Sequence, residues 1–205
     1  IDEVSHVNLS MSANMALRTA LLAKNDDVLQ SLLKKGVNLL EAQSGRTPLG
    51  TAIHTVENND AINHILDTML SFIKSNIGLL SQHDQGRLDL IKRLQENEGA
   101  PLKCPITYNR NTNPLIADSG HSWSGCINNQ LNETNPLTNQ QVEMTIPNLS
   151  LKHVFSILAD SCQEIYSNVK KAQLSQTFTT VDQLKSRLSE AVMLGFADVV
   201  STLLQ

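Results

Sequence analysis

The sequence predicts a mainly α-helical protein, with short helical repeats at both ends and one small α+β unit between them. Three observations predict it. Apolar residues recur at helical spacing over long stretches, as at Ile62, Ile65, Leu66, Met69, Leu70 and Ile73, and again at Leu151, Val154, Phe155, Leu158, Cys162 and Ile165. The segment Leu188 to Leu204 ends as Leu17 to Leu33 does, with Asp-Val and then Leu-Leu, which marks a repeated helix pair. Between Leu102 and Phe155 the chain instead carries short ordered blocks: Leu102-Lys103-Cys104-Pro105-Ile106-Thr107, Asn113-Pro114-Leu115-Ile116, Gly120-His121-Ser122-Trp123, Asn135-Pro136-Leu137-Thr138 and Ile146-Pro147-Asn148-Leu149. The expected organisation is repeats over residues 1–80, a helical linker over 81–99, the small domain over 100–171 and the start of further repeats over 172–205.

In the first region, Ala20 and Ala23 supply the small residues of one helix. Val28, Leu29, Leu32 and Leu33 give the next helix an apolar stripe, and Gly36 ends it as a left-handed cap. Thr47 is placed to cap a helix whose first turn holds Pro48, where the missing N–H costs nothing, with Leu49 and Ala52 on one face. The block Gly45-Arg46-Thr47-Pro48-Leu49-Gly50-Thr51-Ala52 resembles the G-x-T-P-L-H-x-A signature of an ankyrin repeat. Gly50 stands where that family has His, which removes one turn-bracing hydrogen bond.

The linker follows, with Leu88, Ile91 and Leu94 as a narrow apolar seam, and it breaks at Glu96-Asn97-Glu98-Gly99-Ala100-Pro101. In the small domain, helices are expected over His121 to Leu131 and Leu151 to Lys171. The final segment, Leu188 to Leu204, reads as another ankyrin-like helix pair. A repeat array needs neighbours and a polar cap, so further repeats are expected beyond Gln205.

The five central blocks resemble, in order and spacing, the U-box of ubiquitin ligases: CPI-T, DP-V-I, G-x-T-Y, I-x-x-W-L, P-x-T and a closing P-N-x-x-L before a helix. The resemblance implies a short hairpin, a central helix, two loops and a C-terminal helix. It implies a ligase that docks a ubiquitin-charged conjugating enzyme and promotes transfer of the ubiquitin to a protein substrate, which the ankyrin-like repeats would hold. The implied conjugating-enzyme-binding residues are Ile106 and Thr107 in the first loop, Trp123 and Gln130 on the central helix from Trp123 to Leu131, and Pro136 and Asn139 in the second loop. Two of them have a plainer role as well: Ile106 as a buried strand residue, Pro136 as a turn proline.

Departures from the pattern bear on activity. Trp123 stands where the family has Tyr, Ser124 and Gly125 where it has an acidic residue and Arg, and Gln130 where it has Trp or His. Ile127 comes one residue early. Asn139 stands where the family often carries the Arg that bridges conjugating enzyme and ubiquitin. The thioester is already activated, so the ligase acts by holding ubiquitin in a reactive arrangement. An Asn offers fewer and neutral donors than an Arg, which predicts a slower or more selective ligase. These departures also leave open a non-catalytic adaptor with a degenerate U-box, and a purely structural repeat protein in which the block similarity is accidental.

A zinc-binding RING is the rival for such a segment, but it needs about eight Cys or His ligands in close pairs. Between Gly99 and Thr145 only Cys104, His121 and Cys126 are Cys or His, and no C-x-x-C pair exists. No metal or other cofactor is expected, and the cysteines read as core fillers. Neither Cys104 nor Cys126 has a base or basic neighbour placed to activate it, so no catalytic residue is expected. His54 and His64 read as surface residues.

Composition bounds the remaining classes. The 205 residues are 40% hydrophobic and 18% charged, with a net charge of -4 and no cluster of Lys or Arg, which argues against nucleic acid as a partner. No apolar run approaches the ~20 residues of a transmembrane helix, and the first residues show no signal peptide. The three cysteines are odd in number and widely spaced, which fits a reducing compartment. A cytoplasmic protein is expected. Ankyrin-like repeats around a U-box-like unit, with many Asn and Gln, also look like an effector that an intracellular bacterium delivers to host cytosol. Many U-box ligases dimerise, and the helix after Leu151 is placed either for a homodimer or for packing on the repeats.

Overall fold

Residues 13–22 form helix α1, and Asp26–Lys34 form α2. In this computed structural model the described residues are 13–42, 45–56, 59–95 and 144–205, with isolated positions and short strands between 102 and 142. Lys24 turns the chain between the two helices with φ at 52°. Asn25 caps α2 by accepting the Val28 N–H at 3.1 Å, beside the acidic Asp26 and Asp27 of the first turn. Gly36, with φ at 76°, closes the helix as expected. One member of the expected stripe is misplaced. Leu29 and Leu33 are buried and Leu32 partly so, but Val28 is exposed. Residues 29 and 33 lie one helical turn apart on one face, and position 28 lies about 100° away from 29.

Helix α3 (Pro48–Thr51) starts as its sequence predicts. The Thr47 Oγ1 accepts the Gly50 N–H at 3.2 Å, Pro48 occupies the first turn, and Leu49 and Ala52 are buried. A π-helical turn over Ala52–Val56 follows, then α4 (Asn59–Ser75) and a 3₁₀ turn at Ile77–Leu79. Helix α5 (Gln82–Gln95) is capped by Ser81, whose Oγ accepts the Asp84 N–H at 3.1 Å.

A three-stranded antiparallel sheet has the order β2-β1-β3, with β1 at Pro114–Ala117, β2 at Ser122–Ser124 and β3 at Thr145–Pro147. The long helix α6 (Leu149–Leu174) leaves the sheet directly. The chain ends in α7 (Val181–Met193) and α8 (Ala197–Leu203), joined through Gly195 at φ 72°. The helix pair thus begins two turns before the expected Leu188. Thr180 caps it by accepting the Gln183 N–H at 3.2 Å, and Leu184 already packs against its core.

The main core does not stop at the break near Gly99. Leu17 and Leu29 of the first hairpin, Ile65 and Met69 of α4, Leu88 and Ile91 of α5, Leu102, and Phe155, Cys162 and Val169 of α6 all belong to one buried cluster. The helix expected as a linker packs its seam on α6, and α6 packs on α4. The seam of α6 therefore packs on α4 and α5. Side-chain bonds tie it down: Thr47 Oγ1 donates to Gln163 Oε1 at 2.7 Å, and Arg87 pairs with Glu164 at 2.6 Å. At its far end Lys170 reaches Glu190 and Lys171 reaches Asp198, both at 2.9 Å. Gln163 thus receives the Thr47 hydroxyl in the same turn whose Gly50 N–H Thr47 accepts.

Candidate functional site

The small sheet is built around Trp123. Its strand pairs with β1 in the register Pro114 to Ser124, Leu115 to Trp123 and Ile116 to Ser122. Alternation along a strand sends the indole to one face, where it is fully buried with Cys104, Ala117 and the partly buried Val142. Its Nε1 has no hydrogen-bond partner among the described residues. The expected helix start at His121 is thereby corrected: Ser122 to Ser124 are strand. Trp favours strands, and a polar-apolar-polar triplet fits a half-buried strand better than a helix turn.

Asn148 locks this unit to α6. Its backbone N–H donates to the Pro114 carbonyl at 2.8 Å. Its Oδ1 accepts the Leu151 N–H at 3.0 Å as the N-cap of α6, and its Nδ2 donates to Ser122 Oγ at 3.0 Å. One side chain and one amide therefore hold β1, β2 and the helix together. Pro147 lies on the edge strand β3, where its missing N–H interrupts no ladder. The base of the second loop is closed separately. Thr134 bridges to Gln141, the Asn135 N–H donates to the Gln140 carbonyl at 2.8 Å, and Asn135 is fully buried.

Of the six residues expected to bind a conjugating enzyme, the structure describes Trp123 alone. Ile106, Thr107, Gln130, Pro136 and Asn139 lie outside the described residues, as does Cys126. Trp123 is interior and offers no surface atoms of its own. Pro136 and Asn139 fall within the loop whose base Thr134 and Gln141 close. Cys104 and Cys162 are buried and form no disulfide. No three His, Cys, Asp or Glu side chains converge among the described residues. His54 is exposed, while His64 is half-buried and its Nε2 lies 3.0 Å from Gln30 Nε2.

Asn148 stands in the closing sequence block with no role read for it there, and Gln163 was missed altogether. Asn148 had a signal, since Asn before an apolar helical run is a strong N-cap. Gln163 had none, because its partner lies 116 residues away. Comparison with known protein families, with curated proteins and with solved structures finds no match for the chain. No helix among the described residues is long and apolar enough to cross a membrane.

Proposed function

We propose that the chain is a U-box-type ubiquitin ligase. Its strand-and-loop unit docks a ubiquitin-charged conjugating enzyme, and its helical repeats hold the protein substrate. The substrate amine attacks the thioester carbonyl, an amide forms, and the conjugating enzyme's thiol leaves. The ligase supplies no nucleophile and acts by restraining the ubiquitin. Ile106, Thr107, Gln130, Pro136 and Asn139 would meet the conjugating enzyme, and the buried Trp123 would brace the small sheet.

The observation that carries this reading is the Asn148 lock. It joins the two strands and α6 by hydrogen bonds, so the short blocks that resemble a U-box have a rigid base on which two loops can be presented. Docking surfaces of this kind rest on a few apolar anchors ringed by near-neutral contacts. The test is autoubiquitination across a panel of conjugating enzymes. Activity with at least one enzyme, abolished by Ile106→Ala, is expected. No activity with any enzyme overturns the reading.

Gln130 and Asn139 favour a second reading, a non-catalytic adaptor with a degenerate U-box, because both replace residues the family uses at the docking face. Under it, Ile106→Ala changes nothing in the panel assay. The setting we propose for the ligase is the cytosol of a host cell.

A further inference from the structure

We propose that a small cleft walled by α1, residues 38–41 and the start of α3 binds the zwitterionic end of an α-amino acid, with its ammonium on Asn14 and Glu41 and its carboxylate on Arg18 and Arg46. The inference does not rest on the ubiquitin reading. It rests on one buried acceptor that lacks a partner and on the charges set around it.

Helix α1 places Asn14, Arg18 and Leu21 on one face, at steps of four and three residues. Together with Glu41, Arg46 and Thr51 they line a cleft of about 260 Å³, part of it open to solvent. Asn38 fixes the wall that carries Glu41: its Oδ1 accepts the Leu40 N–H at 2.9 Å, and its Nδ2 donates to the Met193 carbonyl at 3.3 Å. Depth is graded. Asn14, Leu21 and Thr51 are buried, Arg18 and Glu41 are half-buried, and Arg46 is exposed. The floor is therefore neutral and the charges stand above it.

Asn14 is 6% exposed, and its Nδ2 donates to the Glu41 carboxylate. A carboxylate only accepts, so this bond fixes which way the amide points and leaves Oδ1 as the second acceptor. That Oδ1 has no hydrogen-bond partner among the described residues. A buried acceptor calls for a donor, and the Glu41 carboxylate beside it has acceptor sites to spare. Two neighbouring acceptors, one of them charged, suit an ammonium, which brings both several N–H donors and a positive charge.

The arginines supply the other half. Both have partners within the protein, but a guanidinium carries several donors in a planar fork that fits a carboxylate. Two arginines and one glutamate give the cleft an excess of positive charge. A lone cation would leave that excess unmatched, and a lone anion would leave the Asn14 acceptor unmet. A group that holds an ammonium and a carboxylate on one carbon satisfies both. The space lies below the ~300 Å³ at which sites for drug-sized ligands begin, and it suits a single amino acid.

Calorimetric titration of the 205-residue chain with glycine, L-alanine and L-threonine, against acetate, methylamine and glycinamide, tests the proposal. At least one of the amino acids is expected to saturate one site and to bind about tenfold or more tighter than acetate or methylamine, each of which carries one charge of the pair. Glu41→Gln keeps an acceptor for Asn14 and removes the charge, while Arg46→Gln changes an exposed residue. Each should weaken amino-acid binding by about tenfold and leave the far-UV circular dichroism spectrum unchanged. No saturable binding by any of the amino acids overturns the proposal, since water alone would then meet the Asn14 acceptor. Affinity unchanged in both variants overturns it as well, as does acetate or methylamine binding as tightly as the amino acids. Glycinamide lacks the carboxylate and should bind about tenfold more weakly than glycine. Equal binding would assign the cleft to the N-terminus of a peptide chain and would also overturn the proposal.

Discussion

Trp123 is the single tryptophan of the chain, and its enclosure with Cys104, Ala117 and Val142 makes it both anchor and reporter of the small sheet. Trp123→Ala should cost about 3–5 kcal/mol in that unit by cavity formation. Trp123→Phe should cost less, because the indole N–H has no partner to lose among the described residues. Intrinsic fluorescence cannot follow these variants, so near-UV circular dichroism in a denaturant titration is the measurement. Asn148→Ala removes an N-cap worth about 1 kcal/mol together with the Ser122 bond, and should lower the midpoint read by Trp123 fluorescence. Under the proposed function, Asn139→Arg supplies charge-assisted donors and should speed discharge of a charged conjugating enzyme onto free lysine; an unchanged rate would count against the role proposed for that position. At this scale the sequence was informative where chemistry is local. Thr47, Pro48 and Gly36 do what their types predict because each partner lies within a turn. The pairing of Thr47 with Gln163 was not legible, since it depends on how α6 lies across the repeats.

At the scale of elements, α6 decides the architecture. Its polar ties lie on both flanks, through Arg87 and Glu164 to α5 and through Lys171 and Asp198 to α8. The Arg87 hydrogen bond holds the Glu164 carboxyl below its ordinary range, and the Lys171 hydrogen bond does the same for Asp198. A carboxylate held low when folded contributes stability that is present above its unfolded pKa of about 4 and is lost as pH falls through that range. Both carboxylates are exposed, so the effect is small and screened by salt. A melt series from pH 6 to pH 3 should show a shallower fall of Tm for Glu164→Gln with Asp198→Asn than for the parent. In the opposite direction, burial first and Glu190 second raise the Tyr166 phenol to about 12. The proton that Tyr166 keeps when folded is therefore a stability lost as pH rises from about 10, its unfolded value, toward 12. The helical stripes of α4 and α6 were readable because a period of 3.6 is a property of sequence alone. Trp123 misled that reading, because three residues with one aromatic carry no period, and strand pairing with Leu115 settled the matter. Likewise Val28 belongs to the apolar run by type and to the surface by angle.

Across the whole molecule, one cluster runs from Leu17 to Val169, so the helices before residue 96 and the helix that leaves the small sheet share a core. A chain ended at Glu98 would strip α6 from α4 and α5 and uncover Ile65, Met69, Leu88 and Ile91. It should lose its sigmoidal thermal transition by circular dichroism, whereas a cooperative melt would show that the repeats stand alone. This sharing could not be read from composition, because the break near Gly99 has the residues of a domain boundary while the packing passes over it. Under the function proposed above, a substrate held by the helices before α6 and a conjugating enzyme docked on the strand-and-loop unit would be joined through one helix pinned at Asn148, Gln163 and Lys171, which would restrain their separation and lower the entropy cost of transfer.

Single-turnover discharge of a ubiquitin-charged conjugating enzyme onto free lysine, with and without the chain, tests this account most directly. Acceleration by the parent protein that disappears in Ile106→Ala is the predicted result. An unchanged discharge rate across a broad set of conjugating enzymes, in the presence of folded protein, would contradict it.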